Sequence, residues 1–304
     1  MVSDGHFDLN DTVTISVNLG DANELIVPTQ FATIQEAIDA AVNGNHVVLL
    51  PQTYQGEGNR DLDFMGKEIT VCSIIPENVD IVSGTIIDCQ GTDVDRHRGF
   101  HFHFGEDTNS IIDGLTIMNG YAPTFGGAIF CEQSSPTIRN CRIINNNVKN
   151  FGSGGGIGYH IASPLIESCF IANNSALGND NGGGIGGVSG SPIVRKCVIE
   201  ENFSGDRGGG LYGFMEIYDS IIRGNSAEYE GGGVYGTLLL SWCIVAENSC
   251  PRGAGAFCLS DGSIENCIVR DNVGDGIRGD RFSFFKLFNC GESNRAKSAT
   301  LWIC

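Results

Sequence analysis

The sequence predicts an all-β fold, a parallel β-helix (solenoid) with an N-terminal amphipathic helix cap. The first observation is a repeat whose successive spacings from Gly114 are 27, 28, 28, 23, 23 and 24 residues. The second is that each repeat holds β-branched runs of only three to five residues, separated by turn residues. The third is glycine, with 43 in 304 residues, about twice the usual ~7%. A fixed period of this length indicates a stack of coils.

A cysteine or serine precedes an asparagine by five positions in every clear copy of the repeat, as in IRNCRIINN and IESCFIANN. The pairs are Cys141/Asn146, Cys169/Asn174, Cys197/Asn202, Ser220/Asn225, Cys243/Asn248 and Cys267/Asn272. Identical residues on successive coils would stack ~4.8 Å apart, like adjacent strands. Asparagines stacked in this way can hydrogen-bond to one another at a sharp turn. We therefore expect an asparagine ladder and a column of buried cysteines.

A glycine-rich segment recurs with the same period, and an apolar residue follows each copy. We take these inward-facing residues to be Ile129, Ile157, Ile185, Leu211, Val234, Phe257 and Ile277. Because side chains alternate along a strand, the residue after each of them should face outward. The predicted outward row is His101, Phe130, Gly158, Gly186, Tyr212, Tyr235, Cys258 and Arg278.

The N-terminal helix cap is predicted at 33–43. Its apolar face comprises Ile34, Ala37, Ile38, Ala41 and Val42. Thr33 and Glu36 have the spacing of a capping box, and Gly44 stands where the helix would stop. Such a helix would cover the exposed strand edges of the first coil. The segments VVLLPQTYQG and KEITVCSII then read as the first strands.

The run FATIQEAIDAAVNGNHVVLLPQTYQG, followed by repeats of the form I-x-x-C-x-I-x-x-N and G-G-G-I, resembles the right-handed parallel β-helix, pectate-lyase-like superfamily. The resemblance implies a β-helix domain at 27–279, an N-terminal extension at 1–26 and a C-terminal cap or tail at 280–304. It also implies a secreted or cell-surface location. The superfamily contains lyases, hydrolases, epimerases and inactive binding proteins, so the fold alone does not assign a function.

Charge and hydropathy narrow the expected partners. The formal net charge is −18 and the pI is near 4.5, which argues against a nucleic-acid partner. No apolar run reaches the ~18 residues of a membrane span. The first residues, MVSDGHFDLNDTVTISV, lack the pattern of a signal peptide. A monomer is expected.

The outward row suggests a carbohydrate-binding surface. Tyr212 and Tyr235 would lie one coil apart, with Phe130 and Arg278 in the same row, and their rings could contact sugars beside a trough left by the glycines. The alternative is that stacked tyrosines only stabilise the strands. In the resembling families, an acidic polysaccharide binds along this strand and the loops beside it.

The turns before these strands carry acidic and basic residues. Asp180, Asp206 and Glu230 are expected in register, and such oxygen ligands suit calcium. A solvated acidic rim is the alternative. Calcium-dependent members of the resembling families use an Arg or Lys as base for β-elimination, which makes Arg207 the first candidate here and Arg252 the second. The cation would stabilise the charge that develops at the uronate carboxylate.

A separate basic cluster comprises Arg96, Arg98, His101 and His103. His101 and His103 share one face of a strand, where they could bind a metal, act as a general base or contact an anion. They could also be surface side chains beside the inward Phe100 and Phe102. The cysteine pairs Cys72/Cys89 and Cys250/Cys258 are candidates for disulfides, which spacing alone does not assign.

The function expected from these features is polysaccharide binding and cleavage, by a calcium-assisted lyase that acts on a uronate-containing polysaccharide. One alternative is a non-catalytic carbohydrate-binding or surface β-helix. Another is a glycoside hydrolase. The chain lacks the adjacent Asp pair, GHG and RIK motifs of a polygalacturonase-like site, although Asp180 with Asp206 would satisfy an inverting mechanism if ~6.5–9.5 Å apart.

Overall fold

In a computed structural model, residues 22–258, 262–274, 276–279 and 282–285 are described. This part of the chain winds through repeated coils whose strands form four parallel sheets, with two short helices. One full coil passes through sheets A, B, D and C in turn, as residues 137–160 do. The predicted parallel β-solenoid is confirmed.

Sheet A has eleven strands among the described residues, and sheet B has nine. The strands of sheet A are Glu24–Val27, His46–Leu49, Thr70–Ser73, Ile111–Asp113, Thr137–Arg139, Leu165–Glu167, Ile193–Arg195, Glu216–Tyr218, Leu239–Ser241, Gly262–Glu265 and Phe282–Phe285. Those of sheet B are Gln52–Tyr54, Thr85–Asp88, Thr116–Met118, Arg142–Ile144, Phe170–Ala172, Val198–Glu200, Ile221–Arg223, Ile244–Ala246 and Ile268–Arg270.

Sheet C has eight described strands and carries the outward row. They are Phe100–Phe102, Ile129–Glu132, Ile157–His160, Ile185–Val188, Leu211–Tyr212, Val234–Tyr235, Ala256–Cys258 and Ile277–Gly279. Sheet D links sheets B and C with five strands in the described part, at Tyr121–Ala122, Asn147–Lys149, Ser175–Leu177, Phe203–Ser204 and Ser226–Ala227.

Neighbouring coils stack in register, so equivalent residues of the repeat meet. Ile138, for example, pairs with Ile166, which pairs in turn with Val194. These middle residues of the sheet A strands are fully buried. The cysteine column Cys141, Cys169, Cys197, Cys243 and Cys267 joins the same core, each residue being at most 2% exposed. Burial of such apolar surface is the main stabilising contribution to the fold.

The asparagine ladder is present. Asn174 illustrates one rung, since its Nδ2 donates to Asn202 Oδ1 at 3.0 Å and to Ile143 O at 2.9 Å. The side chains of Asn146, Asn174, Asn202, Asn225, Asn248 and Asn272 form a continuous chain of such hydrogen bonds. Each buried amide is therefore satisfied by its neighbours.

The helix cap, α1, spans Ile34–Ala40, with Thr33 as N-cap and a complete capping box with Glu36. Ile34, Ala37 and Ile38 are buried, as expected, whereas Val42 lies beyond the helix and is 65% exposed. Val42 was therefore wrongly assigned to the apolar face, because the helix ends before it. A second helix, α2, spans Val79–Gly84 and was not predicted. Within the described residues, neither helix is long and apolar enough to cross a membrane.

The predicted boundaries fall close to the ends of the described part. The first strand of sheet A begins at Glu24 and the last is Phe282–Phe285, so sheet A reaches past 27 and 279 on both sides. The rest of the predicted segments 1–26 and 280–304 lies outside the described residues. Cys72 and Cys89 are buried free thiols in this structure, and the side chain of Cys258 lies outside the described part.

The coils shorten abruptly in the middle of the solenoid. The link from the inward residue of sheet C to the first residue of the next sheet A strand differs between coils. It covers eight residues from Ile185 to Ile193, but five from Leu211 to Glu216 in the next coil. The link from sheet D to sheet C shortens by two residues at the same level, from Ser175–Ile185 to Phe203–Leu211. A wide coil is thus followed directly by a narrower one, which leaves a step on the surface.

Candidate functional site

The outward row of sheet C has the predicted register except at one position. Residues His101, Phe130, Gly158, Gly186, Tyr212 and Tyr235 pair in sequence along the sheet, and Tyr235 pairs with Phe257, which pairs with Arg278. Phe257 therefore takes the place predicted for Cys258, and Ala256 takes the inward place. The reason is that Gly253, at φ +62°, performs the turn that Gly231 performs at φ +65° one coil earlier.

Tyr212, Tyr235 and Phe257 form an aromatic stack. The Tyr212 and Tyr235 ring centroids are 5.5 Å apart at an interplanar angle of 7°, and those of Tyr235 and Phe257 are 5.1 Å apart at 20°. Because neighbouring rings cover each other's faces, mainly ring edges face outward. The stack therefore stabilises the strands as well as forming a surface. At its N-terminal end the next residue in the row, Gly186, has no side chain, so one face of Tyr212 lacks a partner ring within the row.

The glycines of the row do not leave an open trough. A Cβ at Gly158 would lie 2.2 Å from Gly126 N, and one at Gly186 would lie 2.9 Å from Gly154 N. Backbone of the preceding coil therefore occupies the space in front of both glycines. The expected trough was wrong in this respect, because the glycines accommodate a close approach of backbone.

A pair of arginines borders the tyrosine stack. The guanidinium carbon of Arg207 lies 5.3 Å from the Tyr235 ring centroid and 5.1 Å from that of Tyr229. Arg252 lies 4.9 Å from the same Tyr229 ring and donates to Tyr229 Oη at 2.8 Å. Glu230 is shared by both cations, with 3.1 Å to Arg207 Nε and 3.7 Å to Arg252 Nη1. We call these four residues, Arg207, Tyr229, Glu230 and Arg252, the arginine flank.

The electrostatics of the arginine flank keep Arg207 charged. Burial disfavours its charge, but Asp206, Tyr235 and Glu230 outweigh burial and raise the pKa of Arg207 above its usual value. Asp206 Oδ2 lies 3.7 Å from Nη1. A base must give up this proton before it can act, so the flank suits Arg207 to binding an anion better than to abstracting a proton.

The three expected calcium ligands do not converge. Glu230 lies opposite Arg207 and Arg252 in the register, whereas Asp206 follows Asp180 in the neighbouring row. Asp180 is fully buried, and its Oδ1 accepts a hydrogen bond from Gly152 N at 2.7 Å. Among the described residues, no group of three or more His, Cys, Asp or Glu is arranged to hold a metal. This donor set therefore does not fit calcium.

The second aromatic cluster of sheet C contains both predicted histidines. His101 stacks on Phe130 at 5.0 Å, its ring lies 4.2 Å from that of His103, and Arg98 lies over Phe130 at 5.1 Å. His101 Nε2 is 3.3 Å from Glu132 Oε2, and the side chain of His101 is 32% exposed. Together, Arg98, His101, His103, Phe130 and Glu132 form what we call the histidine cluster.

Burial and like charge set the protonation of this cluster. Burial lowers the pKa of His101, Arg98 and His103 lower it further, and Glu132 acts in the opposite direction. Burial also lowers the pKa of Arg98, against the attraction of Asp61 and Glu132. A neutral His101 beside a cationic Arg98 is therefore the favoured state at neutral pH. The neutral imidazole of His101 can act as a base, and the neighbouring guanidinium of Arg98 can pair with an anionic group of a ligand.

The remaining predicted residues lie at the margins. Arg96 is an exposed residue that pairs with Asp93 at 3.6 Å, and Arg278 is exposed in the row beyond Phe257. The sequence reasoning missed three residues, namely Phe125, Tyr229 and Glu132. Phe125 stacks on both Phe130 and His160. Glu132 could have been found, because strand alternation places it on the same face as Phe130. Phe125 and Tyr229 lie in turns, where that rule does not apply.

Comparisons with known proteins show a distant likeness in fold. No family model matches the chain, and no curated protein matches it either. Among solved structures, the chain is similar to a rice weevil pectin methyl esterase, with 13% identity, a TM-score of 0.39 and 92% of each chain covered. A similarity at this level carries no argument about the site or its chemistry.

Proposed function

We propose that the protein binds an acidic polysaccharide along the outward face of sheet C. The observation that carries the proposal is that Arg98 lies over Phe130 and Arg207 over Tyr235 in the outward row, while Arg252 lies over Tyr229 in the adjoining turn. These cations stand in a chain of net charge −18. Local cations in an acidic protein attract anionic groups to that place and away from the rest of the surface. Phe130 is only 7% exposed, so the apolar contacts for a sugar come from the outward edges of the half-buried Tyr212 and Tyr235 rings.

The shape of the face supports a linear ligand. From His101 to Phe257 the row makes six strand-to-strand steps, about 29 Å at ~4.8 Å per step. The histidine cluster stands at one end of this distance and the arginine flank at the other. A polymer lying along the solenoid axis could contact both, which increases affinity through effective concentration.

Binding assays with matched variants test this proposal. Purified protein is titrated with pectate, alginate, glycosaminoglycans and a neutral glucan, and we expect binding of an acidic polymer that weakens as salt is added. Arg252→Ala should lower that affinity. Arg223→Ala is the control, because Arg223 is an exposed arginine on sheet B that pairs with Glu200. Equal losses in both variants, or preference for the neutral glucan, would overturn the proposal.

As a second candidate, we propose cleavage of a uronate-containing polymer by β-elimination, with His101 as base. His101 Nε2 faces Glu132, so the lone pair of the neutral ring lies on Nδ1. His101 would accept the proton next to the uronate carboxylate, and Arg98 would stabilise the developing charge. The glycosidic C–O bond would break as the double bond forms, and the departing oxygen would take a proton from solvent water. The lowered pKa of His101 favours this role.

The lyase assay separates the two candidates. Absorbance near 235 nm reports the unsaturated product, with calcium and then with chelator. A rise that His101→Ala abolishes and Arg223→Ala leaves intact supports His101 as the base. A rise that depends on calcium and on Arg207 or Arg252 would instead support the calcium-assisted mechanism expected from the resemblance. Binding without any rise leaves the protein a carbohydrate-binding β-helix.

A further inference from the structure

The step between wide and narrow coils forms a hollow next to the tyrosine stack. Its volume is about 120 Å³, and it is lined by three glycines together with Tyr159, Val188, Ser189, Tyr212, Phe214 and Tyr235. Val188 belongs to the last wide coil and lies five residues before Ile193 of sheet A. Phe214 belongs to the first narrow coil and lies two residues before Glu216 of the same sheet. The hollow therefore arises from the change in coil length.

Close packing of Tyr159 beneath the glycines shapes the floor of this hollow. Tyr159 is fully buried, and its hydroxyl lies 3.4 Å from Tyr212 O. A Cβ at Gly187 would lie 2.5 Å from Tyr159 Cγ, and one at Gly213 would lie 2.2 Å from Tyr159 Oη. The Tyr159 ring thus packs beneath two successive coils. Because Gly187 and Gly213 have no side chains, neither fills the hollow above the ring.

The walls of the hollow are mostly apolar and partly exposed, with Ser189 as the one polar, uncharged side chain besides the tyrosines among its described residues. Phe214 is 45% exposed and Val188 is 42% exposed. Within the described part of the chain, no charged side chain lines the hollow, in contrast to the arginine flank that borders the same tyrosines. An uncharged group is therefore favoured here, since a charge would lose hydration without gaining a partner.

The size limits the occupant. Drug-sized pockets span ~300–1,000 Å³, so a hollow of about 120 Å³ admits a single ring. A sugar residue without a charge matches the lining, because its apolar face can pack on Phe214 and its hydroxyls can hydrogen-bond to polar groups of Ser189 and the glycine backbone.

We infer that the hollow is a subsite for one uncharged sugar residue, adjacent to the surface that binds acidic residues. The inference rests on the proposed function, and it specifies the ligand as a polysaccharide in which neutral and acidic sugars occur together. The arginine flank would bind the acidic sugars of the polymer, and the hollow would bind a neutral sugar. Selectivity would then come from the pairing of the two surfaces.

The test fills the hollow without disturbing the core. Val188→Trp places a large side chain at the partly exposed rim, and Trp242→Ala serves as control because Trp242 is 63% exposed outside the hollow. Affinity is measured for an acidic homopolymer and for a polymer of alternating acidic and neutral sugars. We expect Val188→Trp to weaken binding of the mixed polymer about tenfold, with little change for the homopolymer or for Trp242→Ala.

A second measurement distinguishes failure of the subsite from failure of the proposed function. A neutral oligosaccharide is titrated while the aromatic NMR signals of Phe214 and Tyr212 are followed. Shifts in the wild type that Val188→Trp removes support the subsite, even if no acidic polymer binds. The inference is overturned if the wild type shows no shifts and binds the homopolymer and mixed polymer equally. Acidic-polymer binding that Arg252→Ala weakens would then leave the proposed function standing alone.

Discussion

Replacing Asn202 by alanine removes the middle of the asparagine ladder. Oδ1 of Asn202 accepts hydrogen bonds from Asn174 N at 2.9 Å and Asn174 Nδ2 at 3.0 Å. Its Nδ2 donates to Ile171 O at 3.0 Å and to Asn225 Oδ1 at 2.9 Å. The residue is fully buried, so water cannot replace these partners without entering the core.

The cost of this substitution follows from the hydrogen-bond count. Each bond contributes about 1 kcal/mol net, so loss of all four predicts a decrease of about 4 kcal/mol in the free energy of unfolding. A fall of this size belongs to the upper part of the range for single substitutions, because buried donors and acceptors lose their partners together. Partial unfolding of the coils beside Asn202 is also expected in a repeat protein.

Urea unfolding followed by circular dichroism measures this change. Asn173→Gly is the matched control, since Asn173 is the exposed neighbour of the ladder and has φ +55°, a conformation that glycine adopts readily. The control should lie within about 0.5 kcal/mol of wild type. A loss below about 1 kcal/mol for Asn202→Ala would refute the additive hydrogen-bond reasoning.

Three further predictions concern the candidate site and its surroundings. Burial raises the pKa of Asp180, so its contribution to stability is fullest below its unfolded pKa and is lost as pH rises. Asp180→Asn should therefore unfold at a higher temperature than wild type at pH 7. The difference between the two melting temperatures should narrow towards pH 4. Calorimetry across that pH range checks this, and a constant or reversed gap contradicts it. Burial lowers the pKa of His101, so wild type should lose stability as pH falls below ~6.5, and His101→Gln should show a flatter pH profile in the same measurement. At Gly213, φ is +116° and a Cβ would lie 2.2 Å from Tyr159 Oη, so Gly213→Ala should lower the free energy of unfolding by about 1–3 kcal/mol. An unchanged urea midpoint would contradict both the strain and the packing argument.

The repeat predicted the fold because strand pairing and the ladder depend on residues at fixed spacing. Asn174 and Asn202 occupy equivalent places on successive coils whatever the turns between them contain, so their contact follows from the period alone. The same argument placed Tyr212 against Tyr235. Where one coil lost a residue before its glycines, the alignment slipped, and Phe257 took the place that had been predicted for Cys258.

The acidic and basic turn residues were harder to predict, because no alternation rule fixes the direction of a side chain in a turn. Glu230 was expected beside Asp180 and Asp206 but lies opposite Arg207. The one-residue offset changes the chemistry, since Glu230 there pairs with two arginines and is no longer one of three converging carboxylates. Contacts of this kind depend on the backbone path of turns whose lengths differ from coil to coil.

The change in coil length connects the features of the site. The row on sheet C changes from glycine to tyrosine between Gly186 and Tyr212, the same level at which the coil shortens on both sides of the strand. Arg207 also enters at this level. A uniform stack would present the same surface at every coil, whereas this discontinuity leaves a hollow beside Tyr212, next to the arginine flank. Departures from local regularity are where functional sites are expected, so substitutions at Val188, Tyr212 and Arg252 should alter binding more than equivalent changes in the regular coils.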